Sequence, residues 1–302
     1  MTAPVTMPDP ARALAERPVG PGAQPTRRNR WPKVLGTHAV LIFVAAAFAI
    51  PVLALVSTAL KTLAQNTKIP VEWIPRPFVR DNFLQAIETA PFLHMLTNTV
   101  VIVGLEVIGV TLSSAIIGYG FGVIRWRGRN SVFMLVIATM LIPYEVLLIP
   151  QYILFSKFGW LNTFYPLIVP FFFGTPLYIF LFRQFFMRMP SELAEAARLD
   201  GASEWAIFAR VFLPLAKPGL LVVALLQFVA GWNDFLGPLI YLNDKNLSTL
   251  VLGMQYFRTS QYEVDVGGQA AYSILVVLPV VVIFFLAQRR LIEGITLTAV
   301  KG

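Results

Sequence analysis

The chain contains no cysteine and only two histidines, His38 and His94, among its 302 residues. The lack of cysteine excludes a disulfide framework, a thiol nucleophile and a thiolate metal site. Two histidines are too few for most zinc sites. No GxxxxGK[ST] motif occurs, so the chain does not bind ATP through a Walker loop. We therefore expect no catalytic residue, no metal ligand and no cofactor held by this chain.

Charge is also scarce: charged residues make up 13% of the chain and hydrophobic residues 57%, with a mean hydropathy of +0.69. Soluble domains average about a quarter charged residues. Six hydrophobic windows of about 20 residues are each long enough to cross a bilayer. Each must be helical, because a strand in lipid leaves backbone groups unpaired. The composition thus predicts an all-α membrane protein with six transmembrane helices, at 37–60, 96–122, 131–155, 164–182, 218–242 and 270–287.

Proline and small residues mark particular windows. Pro143 and Pro150 fall within the third window and predict a bent helix there. Glycine, serine and alanine are concentrated between 104 and 122, in the second window. Small residues let helix backbones approach closely in a membrane, so we expect the second helix to pack tightly against its neighbours.

Lys and Arg are distributed unevenly. Most of the 24 basic residues lie in the first 33 residues, the loop 125–130, the region around 183–217 and the C-terminus. Because loops on the cytoplasmic side carry the excess of Lys and Arg, this pattern predicts that both termini are cytoplasmic. The net charge of +8 then reflects topology. Basic residues split among four segments argue against nucleic acid as a partner, whereas anionic membrane lipid suits the basic N-terminal tail.

The chain divides into three predicted regions. Residues 1–33 are rich in Pro, Ala and Arg and are predicted to form a disordered cytoplasmic tail. The apolar window that follows is longer than the core of a cleaved signal peptide, so we expect an uncleaved anchor. A transmembrane domain would span 34–288, and 289–302 would form a cytoplasmic C-terminal tail.

The longest polar segment between the outermost windows is 187–218, which we call the hairpin. Its layout predicts a helix, a glycine turn and a second helix. Ser191 is a candidate N-cap of the first helix, Gly201 suits a left-handed residue at its end, and Ser203 can cap the second helix. Pro214 and Pro218 are predicted to end the second helix. Its apolar residues recur at helical spacing: Trp205, Phe208, Val211 and Phe212.

The spacing of ten or so residues in the hairpin resembles the EAA loop of ABC-importer permeases. The matching positions include Glu195, Ala196, Ala197, Asp200, Gly201, Ala202, Phe208, Leu213 and Pro214. In that family the loop is the coupling helix, which docks into a cytoplasmic ATPase. The C-terminal residues 293–302 resemble the tail of the MalG-like carbohydrate permeases, and 70–94 is similar to their first external loop.

The resemblance implies a type I ABC-importer permease fold in the cell membrane of a bacterium or archaeon. It also implies partners: an ATPase dimer that binds ATP and Mg, a second homologous permease forming a heterodimer, and an extracytoplasmic solute-binding protein. The implied cargo is a sugar or oligosaccharide, moved by alternating access. The alternative class is a proton- or ion-coupled secondary transporter. Three intramembrane acids without an intramembrane Lys or His are few for a proton relay.

Those acids are Glu106, Glu145 and Asp234, and such residues tend to face a bundle interior or a water-filled path. We interpret Glu106 as a helix-packing residue, because small residues surround it. Trp232, Asn233, Asp234 and Glu145 are candidates for the substrate path, since amides and carboxylates bind sugar hydroxyls while an aromatic ring covers the sugar's apolar face. A helix cap or an interhelical hydrogen bond is the alternative role for each polar residue.

Overall fold

The structure is a computed structural model that describes residues 31–257 and 264–299, with side chains for 36–257 and 264–288. All regular elements among these residues are helices. The α-helices in chain order are α1 (Trp31–Ala59), α2 (Leu63–Asn66), α3 (Asp81–Thr89), α4 (Phe92–Gly122), α5 (Arg129–Ala138), α6 (Tyr144–Lys157), α7 (Tyr165–Ile168), α8 (Pro176–Met187), α9 (Glu192–Leu199), α10 (Glu204–Ile207), α11 (Leu213–Leu215), α12 (Lys217–Trp232), α13 (Leu236–Tyr241), α14 (Leu250–Gly253) and α15 (Val266–Ala299). Short 3-10 turns occupy Thr139–Leu141, Val169–Phe173, Lys245–Leu247 and Met254–Phe257, and a π-helical turn occupies Phe208–Phe212.

Four helical segments are long and apolar enough to cross a bilayer: Gly36–Ala59, Phe92–Gly122, Tyr165–Met187 and Val266–Gln288. Two further pairs of segments meet the same test only together, because a bend separates them. Arg129–Leu141 meets Tyr144–Lys157 at 97°, and Glu204–Leu215 meets Lys217–Trp232 at 77°. If each bent pair is one span, the described residues provide six, as the sequence predicts. In the second pair the first limb belongs to the hairpin, and we take α12 as the start of the fifth span.

The bend of the third span lies at Ile142 and Pro143. Ile142 is extended, with φ −83° and ψ 114°, because the ring of a proline disfavours a helical residue before it. Pro150 lies inside α6 and does not interrupt it. Of the two prolines predicted to bend this span, only Pro143 lies at the bend.

Helix α4 lies at the centre and packs along α8 and α12. Glycines in α4 allow neighbouring segments to approach its backbone closely. A Cβ on Gly109 would lie 2.7 Å from the ring of Phe172, and one on Gly118 would lie 3.1 Å from the backbone nitrogen of Arg183. The predicted packing role of small residues is therefore confirmed at Gly109 and Gly118, whereas Gly104 faces open space.

The two largest of four clusters of buried side chains among the described residues each join several helices. One joins α4 and α8 to the hairpin and is rich in aromatic rings: Tyr119, Tyr178, Phe182, Phe186, Phe208 and Phe212. The other joins α4 to α12, α14 and α15 through Met95, Trp232, Leu250, Phe257 and Tyr272. Lipid is as apolar as these side chains, so close van der Waals packing between the spans holds each cluster together.

The chain separates into two compact units, 1–52 and 53–302. The described part of the first unit is the beginning of α1. Residues 1–30 of the predicted N-terminal tail lie outside the described residues. At the other end, α15 continues the last span without interruption to Ala299. The backbone of the predicted tail 289–302 therefore begins as part of this helix.

Candidate functional site

A cavity of about 470 Å³ opens among the spanning helices of the second unit. Helices α4, α6, α12 and α13 and the segment 166–171 contribute to its wall. The lining residues are Glu106, Tyr144, Gln151, Phe155, Pro166, Leu167, Pro170, Phe171, Gln227, Ala230, Gly231, Asn233, Asp234 and Tyr241. Half of them are polar, which is unusual between apolar helices of this kind.

Glu106 and Gln227 form the deepest polar pair of the cavity. The amide nitrogen of Gln227 donates a hydrogen bond of 2.9 Å to Oε2 of Glu106. Both residues are almost fully buried, with exposed fractions of 2% and 3%. Gly231 lies against the Glu106 carboxyl, where a Cβ would overlap it. Glu106 thus has the packing role predicted for it, and it also lines the cavity.

Asn233 and Asp234 lie at a break between α12 and α13. Oδ1 of Asp234 accepts a hydrogen bond of 3.1 Å from the backbone nitrogen of Gly237, and Nδ2 of Asn233 donates one of 2.8 Å to the carbonyl of Val229. Asn233 therefore pairs with a backbone carbonyl at the end of α12, and Asp234 pairs with a backbone amide at the start of α13. Both also line the cavity, so their bonds at the helix ends leave them in its wall, and their role in a substrate path stays a prediction.

Trp232 faces the opposite way. Its indole nitrogen donates a hydrogen bond of 3.1 Å to the carbonyl of Val276 on α15, and its ring packs 5.3 Å from that of Phe228. The residue is buried in the helix contact and is not among the residues lining the cavity. The indole is thus part of the packing between α12 and α15, and the role of Trp232 in the substrate path stays a prediction.

Glu145 lies in the first turn of α6, directly after the bend, and its side chain is exposed. It is likewise absent from the residues that line the cavity, where the neighbouring Tyr144 lies instead. Adjacent residues of a helix project about 100° apart, and the side of α6 that lines the cavity carries Tyr144, Gln151 and Phe155. The acidic side chain next to the break thus lies outside the cavity wall.

Sequence reasoning missed four polar members of the cavity: Tyr144, Gln151, Gln227 and Tyr241. The hydroxyl of Tyr241 lies 3.4 Å from Oε1 of Gln151, its acceptor. Gln151 and Gln227 could have been found from the sequence, because each is a glutamine within an apolar span. An amide in hydrocarbon requires a polar partner and so indicates a polar site.

The ionisable acids Glu106 and Asp234 line the cavity without a basic side chain among the described residues beside them. Among its described lining residues are two carboxyl groups, three amides and two phenols, with no Lys, Arg or His. Such groups donate to and accept from hydroxyls, and they provide no cation to balance an anion. Nowhere in the described part of the chain do three His, Asp or Glu side chains come together as a metal site would require.

The hairpin folds largely as predicted. Helix α9 ends at Leu199, and Gly201 follows with φ +78°, a left-handed conformation that favours glycine. Oγ of Ser203 accepts a hydrogen bond of 3.3 Å from the backbone nitrogen of Ala206 and caps α10. Ser191 makes no such bond, because its own backbone is already helical at φ −65° and ψ −26°, whereas a capping residue is normally extended.

Pro214 does not end the second helix, which is a further correction. A π-helical turn at Phe208–Phe212 precedes it, and the backbone nitrogen of Leu213 donates to the carbonyl of Phe208, five residues earlier. The wider turn accommodates a residue that has no N–H to donate. The chain turns at Ala216 instead, and Pro218 lies in the first turn of α12.

The residues of the EAA-like pattern occupy two different environments. Phe208 is buried in the aromatic cluster, while Ala197, Ala202 and Leu213 pack partly against it. The other five residues of the pattern are exposed: Glu195, Ala196, Asp200, Gly201 and Pro214. Leu199 accompanies them with an exposed fraction of 89%, which leaves a large apolar side chain at the tip of the hairpin.

An ion pair connects the two helices of the hairpin. Nε of Arg198 lies 2.6 Å from Oε1 of Glu204, and its second nitrogen lies 3.3 Å from Oε2. The Arg198 guanidinium lowers the pKa of the Glu204 carboxyl, and the hydrogen bond from Tyr119 acts in the same direction. Glu204 is therefore a carboxylate at neutral pH and holds both partners.

A polar cavity among spanning helices and a polar hairpin with an exposed apolar tip together define a transport permease. A protein-family model described as a binding-protein-dependent transport system inner membrane component matches residues 114–296. The arabinooligosaccharides transport system permease protein AraQ of Halalkalibacterium halodurans is 34% identical over 232 residues, covering 76% of this chain and 81% of that protein. The diacetylchitobiose uptake system permease protein NgcG of Streptomyces coelicolor is 29% identical over 262 residues, covering 86% of each.

A solved structure has the same fold. It is a crystal structure of a bacterial ABC transporter involved in the import of the acidic polysaccharide alginate. One of its chains superposes with a TM-score of 0.74 at 20% identity, covering 87% of this chain and 97% of that one. The chain therefore belongs to the family of binding-protein-dependent transport system inner membrane components. It is a multi-pass permease of ABC-importer type, which confirms the resemblance and the all-α fold.

Proposed function

We propose that this chain forms part of the membrane path for an uncharged oligosaccharide in an ATP-driven importer. The cavity is the observation that carries the proposal. Its carboxyl, amide and phenol groups provide hydrogen-bond partners of both kinds for sugar hydroxyls, and Phe155 and Phe171 offer apolar rings beside them. The names of two relatives, which specify arabinooligosaccharides and diacetylchitobiose, support the same class of cargo.

The contents of the cavity favour a neutral cargo over an acidic one. A negatively charged phosphate or uronate would lose its water on entering the cavity. The wall there contains the acids Glu106 and Asp234, and the described lining residues include no cation to balance the charge. Desolvating an unpaired charge is strongly unfavourable. Among the residues predicted for the path, Asn233 and Asp234 are the ones we assign to sugar contact, together with Gln227. Trp232 and Glu145 do not line the cavity and stay candidates for other parts of the path.

The chain would work with partners that supply what it lacks. An ATPase dimer would bind ATP and Mg and carry out the hydrolysis, so this chain is not itself an enzyme. A second, related permease would complete a heterodimer, and an extracytoplasmic binding protein would deliver the sugar. The excess of Lys and Arg supports cytoplasmic termini and a cytoplasmic hairpin, and the basic N-terminal segment suits anionic lipid.

Alternating access follows from this arrangement. The exposed side of the hairpin, with Glu195, Asp200 and Leu199, would dock on the ATPase. Closure of the ATPase dimer on ATP would draw the hairpins together and open the cavity to the outside. Hydrolysis would then reset the helices. The apolar cluster around Phe208 would make the hairpin move as one body with the spans.

Uptake by whole cells tests the cargo. Cells that lack only this chain, and cells complemented with it, would be given labelled arabino-oligosaccharide, diacetylchitobiose and an alginate disaccharide. We expect complementation to restore uptake of a neutral sugar and not of the acidic one. Asp234→Asn and Gln227→Ala should lower that uptake at least threefold, whereas Gln184→Ala, outside the cavity, should not. Restored uptake of the acidic sugar alone would overturn the proposal.

Co-purification tests the partners. The chain would be isolated in mild detergent, and the proteins that accompany it would be identified by mass spectrometry. An ATPase and a second permease are the expected companions. A homodimer without an ATPase, combined with uptake driven by a proton gradient, would instead identify a secondary transporter.

A further inference from the structure

Tyr119 lies at the point where the central helix α4 meets the hairpin. Its ring is almost fully buried and packs against three phenylalanines at centroid distances of 5.2–6.0 Å: Phe186 of α8, and Phe208 and Phe212 of the hairpin. The ring thus sits in a socket to which the hairpin contributes two sides.

The hydroxyl of Tyr119 extends beyond that socket and donates a hydrogen bond of 2.9 Å to Oε2 of Glu204. Arg198 holds the same carboxylate from the other side, at 2.6 Å from Oε1. A charged acceptor strengthens a hydrogen bond roughly twofold over a neutral one. Arg198, Glu204 and Tyr119 therefore form a continuous polar chain from α9 through α10 to α4.

The same helix reaches the cavity. Glu106 and Tyr119 both belong to α4, thirteen residues apart in the sequence. At 1.5 Å per residue, that separation is about 20 Å along a continuous helix. A displacement of the helix at Tyr119 would thus be passed along one rigid element to the Glu106 carboxyl in the cavity wall.

We propose that the hydrogen bond between Tyr119 and Glu204, braced by Arg198, is the positioning link through which the hairpin moves α4 and so changes access to the cavity. The proposal rests on the proposed function, because it concerns how an ATP-driven hairpin acts on the path. In this role Tyr119, Glu204 and Arg198 are positioning residues and need not touch the cargo.

The aromatic socket alone would transmit such a movement poorly. Apolar contacts are non-directional, so rings can slide over one another while burial is kept. A hydrogen bond weakens steeply when its geometry is lost, and the ion pair with Arg198 fixes the orientation of the acceptor. Removing only the hydroxyl of Tyr119 therefore breaks the hydrogen bond to Glu204 and leaves the packing of the ring in place.

The absence of cysteine makes a direct test possible. Ala230→Cys places a single thiol of this chain in the cavity wall, at a small residue. The complete complex, with ATPase, second permease and binding protein, would be reconstituted in vesicles. The rate at which N-ethylmaleimide modifies this thiol would be measured with and without ATP and vanadate, by mass spectrometry of the peptide from this chain.

Four forms of the chain would be compared, and each carries Ala230→Cys as the reporter. The first has no other change, the second and third add Tyr119→Phe or Glu204→Gln, and the fourth adds the control substitution Tyr178→Phe. Tyr178 is a buried tyrosine of the same aromatic cluster, and its hydroxyl makes no hydrogen bond within the described residues. Tyr119→Phe should reduce the nucleotide-dependent change in rate at least threefold while ATP hydrolysis and the melting temperature stay near normal. Glu204→Gln keeps an oxygen that accepts from Tyr119, so a smaller loss is expected.

Combining Tyr119→Phe with Glu204→Gln should do no more than Tyr119→Phe alone, because the link to α4 is already broken once the Tyr119 hydroxyl is absent. An equal response of Tyr119→Phe and Tyr178→Phe would overturn the link while leaving the proposed function in place. A chain with the reporter alone that shows no nucleotide-dependent change would overturn the proposed function and the link with it.

Discussion

Glu106 of the second span and Gln227 of the fifth are joined by a hydrogen bond of 2.9 Å, and both side chains are buried while lining the cavity. This hydrogen bond thus joins two spans within the wall of the cavity that we propose as the substrate path. A carboxyl group and an amide in this position would be unfavourable in a purely structural core, because apolar residues of the same volume would pack as well without desolvation.

The first prediction separates the effect of this hydrogen bond on stability from its effect on sugar uptake. Gln227→Leu leaves the Glu106 carboxyl without this partner, which should destabilise the complex by about 1–3 kcal/mol. Replacing both residues, as Glu106→Leu with Gln227→Leu, should restore most of the stability but not the uptake of neutral sugar. Thermal unfolding in detergent and vesicle uptake measure the two effects. A Gln227→Leu protein of unchanged stability would argue against the pairing.

Gly231 gives a second prediction about the same pair. A Cβ at this position would overlap Oε2 of Glu106, so Gly231→Ala should displace the carboxyl. Overpacking of this kind costs about 1–3 kcal/mol, and uptake should fall with it. Gly104→Ala is the matched control, because nothing lies within 4 Å of a Cβ there. Equal melting temperatures for the two variants would contradict the close approach.

The hairpin turn provides the third prediction. Gly201 has φ +78°, and nothing lies within 4 Å of the place a Cβ would take. A substitution there therefore meets backbone strain alone, about 1–2 kcal/mol for most residues. Gly201→Val should lower the sugar transported per ATP hydrolysed, whereas Gly201→Asn should stay close to the original ratio, since asparagine tolerates this conformation. Normal transport by Gly201→Val in reconstituted vesicles would count against a coupling role for the turn.

Topology is the subject of the fourth prediction. Single cysteines replacing Arg127 and Lys245, both exposed, should lie on opposite sides of the membrane. A membrane-impermeant maleimide should label position 245 in intact spheroplasts and position 127 only in inverted vesicles. The reverse pattern would refute the cytoplasmic placement of the termini and of the hairpin.

The elements that the sequence predicted correctly depend on local chemistry. Apolar windows of sufficient length became helices, and Gly201 and Ser203 occupy the turn and the cap because only their own backbone and nearest neighbours decide those roles. Ser191 failed as a cap for an equally local reason, since its backbone is already helical. The position of Ser191 directly before α9 was readable from the sequence, but its helical backbone conformation was not.

The cavity could not be predicted in the same way, because distant residues build it. Trp232 turned away from it through a hydrogen bond to Val276, 44 residues later. Gln227 joined it through Glu106, 121 residues earlier. The third span bends by 97°, and the face of α6 that then meets the cavity carries Tyr144 and not Glu145. Proline indicated a bend, but neither its angle nor its direction follows from proline alone.

The most direct test of the account is the energy source of sugar uptake in reconstituted vesicles. The complex and its binding protein would be supplied with the labelled neutral oligosaccharide that whole-cell uptake identifies. We predict accumulation that requires ATP on the ATPase side, stops with vanadate and continues when a protonophore collapses the proton gradient. Accumulation driven by a proton gradient without ATP would contradict it.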